Sequence, residues 1–373
     1  MENYMRYKRF LFALLGSMSF LIGCHNNPIG SGGSVWTQAT GVSNVNHFYA
    51  SGGNLLASTY CNVCSEAYIF ISRDEGATWK LDTTFHVYNH TDNGYITSPL
   101  YLPAPLTFIN DGSYLLAGVG YVYKGDIYRS TDNGLTWSDR GVSWSANDSD
   151  REDVYCFCVL NGDIFAGTDD GIFVSTDHGS TWNSANVGIP KIPIGTHLPV
   201  SGLGVLGDYI FATTWSSGIF RSTNDGASWT QVNASTFTFQ GLATVGSDVF
   251  AAAFNDEGKP WTGGVFVSTD NGVTWQHADV DLPDHGVGVI CTNSSYLFAG
   301  TETGIFYSSD LGITWNNISV GSPIEGDGAT ALYINDTYLF ANSAGGVWRY
   351  PLFILPGFTQ NTKNEISKKP KGG

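Results

Sequence analysis

An eight-residue pattern occurs six times in the chain: SRDEGATW from Ser72, STDNGLTW from Ser130, STDHGSTW from Ser175, STNDGASW from Ser222, STDNGVTW from Ser268 and SSDLGITW from Ser308. The starts lie 58, 45, 47, 46 and 40 residues apart. A period of roughly 40–50 residues marks repeat architectures, in which one supersecondary unit cannot bury its apolar face alone and must stack on its neighbours. Each repeat reads as four strands. A first strand such as VYCFCVL precedes an arm such as DIFAGT, then GIFVS, then the box, then an arm that begins at its tryptophan. Within the box, glycine supplies a positive φ, and the third residue (Asp74, Asp132, Asp177, Asn224, Asp270 or Asp310) can bond the backbone N–H groups ahead of it. The closing tryptophan (Trp79, Trp137, Trp182, Trp229, Trp275 or Trp315) buries a large ring and pins the outer strand. The box is therefore read as a structural staple.

Closure is legible too. After the sixth box, TYLFANSAGGVWRYPL (337–352) supplies further strands but no seventh box, while SVWTQAT (34–40) repeats the strand that follows a box, as in SWTQVN (228–233). Trp36 takes the place of the missing tryptophan. The expectation is an all-β fold, a single seven-bladed β-propeller over 34–355 whose last blade is closed by the N-terminal strand, hiding its edges; six blades is the alternative. Residues 356–373 read as a polar, disordered tail.

The repeated box resembles the Asp-box (BNR) repeat of the sialidase-like β-propeller superfamily, and the resemblance covers almost the whole chain after its leader. That superfamily holds sialidases and other glycosidases, sortilin-type receptors and propellers similar to photosystem II assembly factors. The resemblance implies the fold and leaves the activity open, because one scaffold carries many functions.

Residues 1–23 read as a secretory leader: Arg6, Lys8 and Arg9 precede a short apolar run. The run ends in Leu21-Ile22-Gly23-Cys24, which resembles a bacterial lipobox with Cys24 as the lipidated residue; 24–33 would then be a linker. This predicts a lipoprotein anchored in the cell envelope, and His25 in place of an aspartate favours the outer membrane. The formal net charge is −16 although leader and tail are both basic, so the body is more acidic still. An acidic body repels phosphate backbones, which excludes nucleic acid as a partner.

In a propeller of antiparallel blades the box turns and first hairpins share one face. The first hairpins are short and uniform: LNGD, LGDY, VGSD, TNSS and INDT. Longer, dissimilar segments (58–68, 81–105, 138–153, 186–200, 254–264 and 276–286) fall in the connections expected on the opposite face. Loop elaboration on one face of a rigid scaffold is where binding concentrates. Tyr121, Tyr123, Trp144, Trp215 and Trp261, with Asp169, Asp170 and Glu302, are the expected ligand-binding residues there, a mixture suited to sugars or peptides; each tryptophan can instead pack under its own loop.

Within the resemblance, a sialidase needs three clustered arginines for the substrate carboxylate. The chain after the leader has six arginines, of which Arg129, Arg221 and Arg349 share one repeat position at the box end of separate blades. They cannot converge, so no sialidase activity is expected and no catalytic residue is assigned. Cys61 and Cys64 sit in an insertion, where a local disulfide is the default in an oxidising compartment. Adding His86 and His90 gives ligand types suited to zinc at a longer than usual gap. The expected function is a non-catalytic binding module for a glycan or protein partner, without a cofactor unless zinc occupies that set. The alternative is a glycoside hydrolase using two carboxylates of the same face.

Overall fold

The computed structural model describes residues 35–61, 66–82, 104–120, 126–138, 143–144, 153–193, 195–235, 237–254, 263–282, 286–293 and 295–357. Cys24, Cys64, His86, His90, Tyr121, Tyr123 and Trp261 lie outside them, and of Cys61 and Trp144 only the backbone is described.

The alternation of apolar residues in each repeat folds as antiparallel sheets, seven among the described residues. Blade 4 shows the standard unit: inner strand Val200–Leu206, second strand Tyr209–Thr214, third strand Ile219–Ser222 and outer strand Thr230–Asn233. The inner strands follow one another around an axis. Val45–Ser51 of blade 1 touches both Ala104–Asn110 of blade 2 and Ala331–Ile334 of blade 7, which closes the ring. No α-helix occurs among the described residues.

Closure is as expected. In blade 7 the outer strand is Thr37–Gln38, antiparallel to Gly346–Pro351 with Thr37 opposite Arg349 and Gln38 opposite Trp348. Trp36 is buried and its Nε1–H donates to the Ile318 carbonyl at 2.8 Å. Trp229 and Trp315 do the same to Ala185 and Ala278, each bond 2.8 Å. In all three cases the acceptor stands three residues after the tryptophan of the preceding blade, so Trp36 is in register as the seventh member.

Two blades depart from the four-strand expectation. Among the described residues blade 2 has three strands and a single bridge between Arg129 and Ser138, while blade 3 gains a fifth, Ser143–Trp144, laid parallel on Thr181–Ser184. The chain leaving blade 2 hooks onto the outer strand of blade 3, as Thr40 bridges Thr78 where blade 7 meets blade 1. The hook pairs backbone groups on the open side of the outer strand that would otherwise lack a ladder partner.

The box is a closed hydrogen-bond circuit. In the second box the Ser130 hydroxyl donates to Asp132 Oδ1 at 2.7 Å and accepts the Gly134 N–H at 2.8 Å. Thr136 donates its N–H to Oδ1 at 2.8 Å and its hydroxyl to Oδ2 at 2.6 Å. The same circuit repeats at Asp74, Asp177, Asp270 and Asp310. Asn224 keeps it with the roles adjusted: its Nδ2 donates to the Ser228 hydroxyl at 2.9 Å while Oδ1 accepts the Ser228 N–H. Glycine alone was expected to take the positive φ, but the residue before it does so as well, between 52° and 59° from Glu75 to Leu311.

The glycine has a second reason to be glycine. A methyl group on Gly76, Gly179, Gly226 or Gly272 would collide with Phe340, Leu116, Phe165 or Phe211, which lie on the second strand of the preceding blade. Each box is thus a joint between two blades. Arginines reinforce three joints: Arg129, Arg221 and Arg349 lie over Tyr114, Tyr209 and Tyr338 of their own blades, 4.9–5.4 Å from the ring centroids. Each then reaches the next blade's box, at Ser180 Oγ (2.6 Å), the Asn271 carbonyl (2.5 Å) and the Glu75 carbonyl (3.1 Å) respectively.

Gly226→Ala, which adds a collision to an unfavourable φ, should cost more than about 2 kcal/mol by urea unfolding. Gly112→Ala, at φ +94° in open space, should cost about 1 kcal/mol; equal costs would mean that the joint does not depend on close approach. Asp74 and Asp270 are held down from 3.8 to about 2, first by the hydroxyls of Thr78 and Thr274 and then by their backbone N–H groups. A depressed carboxylate stabilises the fold above its ordinary value and loses that contribution as pH falls from about 4 through 2. The double variant Asp74→Asn/Asp270→Asn should therefore show a smaller stability difference between pH 6 and pH 2 in urea titrations than the native chain, and parallel curves would refute the assignment.

Candidate functional site

Antiparallel order places the turns between second and third strands, and the links between blades, on the face away from the boxes. A recurring threonine that sequence reading passed over holds these turns. Thr168, Thr214 and Thr301 end the second strands of blades 3, 4 and 6, and their hydroxyls donate to the carbonyls of Gly171, Gly218 and Gly304 at 2.9–3.2 Å. The same hydroxyls accept N–H bonds from Asp170, Ser217 and Thr303 at 3.1–3.2 Å. The spelling that could have revealed it is AGT, ATT and AGT, each followed closely by glycine.

A second feature was also invisible in the sequence. Six inner strands carry a β-bulge near their loop-face ends, between Val45/His47, Pro105/Thr107, Val154/Cys156, Val200/Gly202, Phe239/Gly241 and Val287/Val289. The inserted residues include Asn46, Tyr155, Ser201 and Gln240, which the ring arranges around its axis at the mouth of the loop face. Bulges re-aim side chains and recur beside functional sites. Ser201 links blades 4 and 5 here, its hydroxyl donating to the Phe239 carbonyl at 2.5 Å.

The residues expected to bind a ligand divide. Asp169 and Asp170 lie on the turn between the second and third strands of blade 3, and Trp215 lies on the equivalent turn of neighbouring blade 4. Asp169 is buried and its Oδ1 accepts the Asp153 N–H at 2.9 Å. Asp170 Oδ1 accepts the His197 N–H and lies 2.9 Å from His197 Nδ1. That pair closes the link 186–200, which folds back through a Lys191–His197 bridge over buried Ile189 and Leu198. Trp215 is only 6% exposed, packed against Tyr155 with centroids 5.2 Å apart, while its carbonyl accepts the Thr238 hydroxyl. It supports the mouth from beneath and does not present its own ring, so the packed alternative holds there. Trp144 is displaced to the outer rim of blade 3, its backbone in register with the box tryptophan Trp182. Glu302 is exposed at the tip of the blade 6 turn, on the far side of the ring.

The segment 58–68 is largely strand, not loop: Thr59, Tyr60 and Cys61 pair with Tyr68, Ala67 and Glu66. No cluster of three or more metal-binding side chains occurs among the described residues. Cys158 and Cys291 lie opposite Phe165 and Phe298 in equivalent registers, free and with thiols pushed up by burial. They are core residues. The arginines stay apart, on blades 2, 4 and 7, as their spacing required.

Comparison with known proteins agrees with this architecture. The BNR/Asp-box repeat matches at residues 128–139 and 266–277, and the chain carries that repeat. A xyloglucanase of Hypocrea jecorina (strain QM6a) is 25% identical over 282 residues, covering 67% of this chain and 32% of that protein, so the chain spans about a third of that relative's length. Among solved structures, YCF48 bound to D1 peptide superposes with a TM-score of 0.60 at 14% identity, covering 85% of this chain and 96% of that one. PorZ, a surface component of the type-IX secretion system of Porphyromonas gingivalis, superposes with a TM-score of 0.58 at 14% identity, covering 87% and 48%. These likenesses carry the propeller fold.

Beside the bulge residue Asn46, His47 packs its ring 6.0 Å from that of Phe108, and its enclosed Nδ1 has no hydrogen-bond partner among the described residues. Burial pushes its pKa down from 6.5 to about 4. A lowered histidine pKa means that the unfolded chain binds the proton first, so stability falls as pH drops from about 6.5 towards 4. Replacing it by His47→Phe should remove on the order of 1–2 kcal/mol of the loss between pH 7 and pH 5, read from urea midpoints; an unchanged loss would show that His47 is hydrated.

Proposed function

We propose that the chain is a non-catalytic binding module, carried on the bacterial envelope by lipidated Cys24, that takes a glycan or protein partner at the loop-face mouth. The observation that supports it is how Asp169, Asp170 and the box carboxylates are employed among the described residues. Asp169 and Asp170 hold backbone and His197, and the box carboxylates are tied into their own turns. A two-carboxylate hydrolase needs a facing pair free to exchange protons with substrate and water. The aromatic and amide groups at the mouth, Tyr155, Gln240 and Asn46, suit stacking and hydrogen bonding without turnover.

The second reading is a glycoside hydrolase, favoured by the likeness to a xyloglucanase and by exposed Glu302. A glycan array and an envelope-protein pulldown, each followed by a turnover assay on any hit, separate the two. The binding reading expects retention without product, weakened at least about tenfold by the double variant Tyr155→Ala/Gln240→Ala through lost stacking and hydrogen bonds. Product formation that disappears in Glu302→Gln or Asp170→Asn would replace it with the hydrolase. Palmitate labelling that is lost in Cys24→Ala tests the anchor, and fractionation tests the outer-membrane location. Metal analysis with and without His86→Ala decides between zinc and a local disulfide at Cys61 and Cys64.

A further inference from the structure

We infer that the box-face rim of blades 5 to 7 is a membrane-contacting surface, set shallowly into the leaflet that holds the anchor so that the loop face points away from the lipid. The inference rests on the anchor reading above and adds an orientation and a second, apolar contact.

The first argument is where the chain enters the ring. The outer strand Thr37–Gln38 runs antiparallel to Gly346–Pro351, and that third strand runs down to the box face. Val35 therefore enters at the box face, beside Pro351. Ten residues (25–34) separate it from Cys24, eleven Cα steps with a reach of at most about 40 Å when extended. The tether brings the box face to the membrane first.

The second argument is the chemistry of that rim. At the sixth box position the other boxes carry Ala77, Ser180 and Ala227, or half-exposed Leu135 in blade 2, whereas blades 5 and 6 expose Val273 (61%) and Ile313 (70%). At the fourth position Glu75, Asn133, His178, Asp225 and Asn271 are all polar, and blade 6 alone has an apolar side chain, Leu311. Leu311 is held at φ +59°, a conformation that disfavours leucine more than asparagine. Blade 7 continues the arc. Its chain leaves the third strand in a single 3-10 turn, Leu352–Ile354, which buries Leu352 and Leu355 while exposing Phe353 (65%) and Ile354. The turn is fixed from three sides: the Leu352 N–H donates to the Thr337 carbonyl, the Leu355 N–H to the Leu352 carbonyl, and the Tyr296 hydroxyl to the Pro356 carbonyl. A fixed turn presenting phenylalanine and isoleucine to solvent, on the same face as exposed Val35, Leu311, Ile313 and Val273 of three neighbouring blades, offers an apolar contact surface.

The occupant follows from the tether and the charge. Among the described residues of this rim, Asp248 and Asp336 lie on the box-face hairpins of blades 5 and 7, and the Arg221 and Arg349 guanidinium groups are engaged by the Asn271 and Glu75 carbonyls, so the rim offers no cluster of free cations to anionic headgroups. The contact is with the apolar boundary of a bilayer, in the manner of interfacial anchors that add apolar area to a lipid chain.

All seven blades lie within 35–357, so a chain that begins after Cys24 retains the whole ring. Its co-flotation with phosphatidylcholine vesicles tests the surface without the anchor. The native sequence should float, and the triple variant Val273→Ser/Ile313→Ser/Phe353→Ser should partition at least tenfold less, with little change on raising the salt. Val187→Ser/Val320→Ser, which removes equally exposed side chains where outer strands leave towards the loop face, should float like the native sequence. Absence of flotation by the native sequence, or equal flotation of the triple variant, would overturn the inference. So would self-association in sedimentation that the triple variant abolishes, because the rim would then be a contact between copies of the chain. Palmitate labelling of full-length protein keeps the two readings apart: a labelled chain whose ring does not float retains the anchor and loses the rim, and the reverse result retains the rim.

Discussion

The contact between a box glycine and the second strand of the preceding blade governs this molecule. At Gly76, Gly179, Gly226 and Gly272 the backbone approaches Phe340, Leu116, Phe165 and Phe211 so closely that no side chain fits between them. The box circuit of serine, aspartate and threonine exists to hold the turn in the one shape that makes this approach, with two successive residues in left-handed conformation. Seen this way, the box does not simply close a hairpin. It sets the distance and angle of one blade to the next, and six such joints with one substitute at blade 7 fix the ring.

The seventh joint shows the constraint by its exception. Blade 7 has no box, so Phe298 of blade 6 has no box glycine to receive. It shares a cluster with Trp36, Tyr350, Leu352 and Leu355 instead. The C-terminal 3-10 turn takes the place of the box turn, and the N-terminal strand takes the outer position. Both ends of the ring therefore meet at one joint on one face. The same arrangement creates the exposed apolar arc of Phe353 and Ile354, because a turn that substitutes for a box packs only two of its four apolar residues.

With the box face committed to joints, the opposite face is free to vary. Its threonine-held turns and its ring of bulges make a firm mouth around the axis, and the links between blades supply differences in length. Asp170 and His197 illustrate the division of labour: an acidic residue expected on the ligand-binding face also clasps a long link.

Much of the fold was legible in the sequence, because a box whose spelling is fixed by its own hydrogen bonds must reappear wherever a blade is built. The repeat gave the blade count, the pairing of Trp36 with blade 7 and the separation of Arg129, Arg221 and Arg349. The bulges at Tyr155 and Gln240 were not legible, since an extra residue in a strand leaves no mark on an apolar pattern that is buried on both sides. Nor were the burial of Trp215 or the placing of Trp144 on the outer rim, which depend on how a link folds back over its neighbours. What the sequence determined was everything local, from turns to circuits to the order of strands. Which side chains share the mouth, and which apolar residues of separate boxes join into one rim, was decided only when the ring closed, because those neighbours are distant in the chain and are brought together by the curvature of seven stacked sheets.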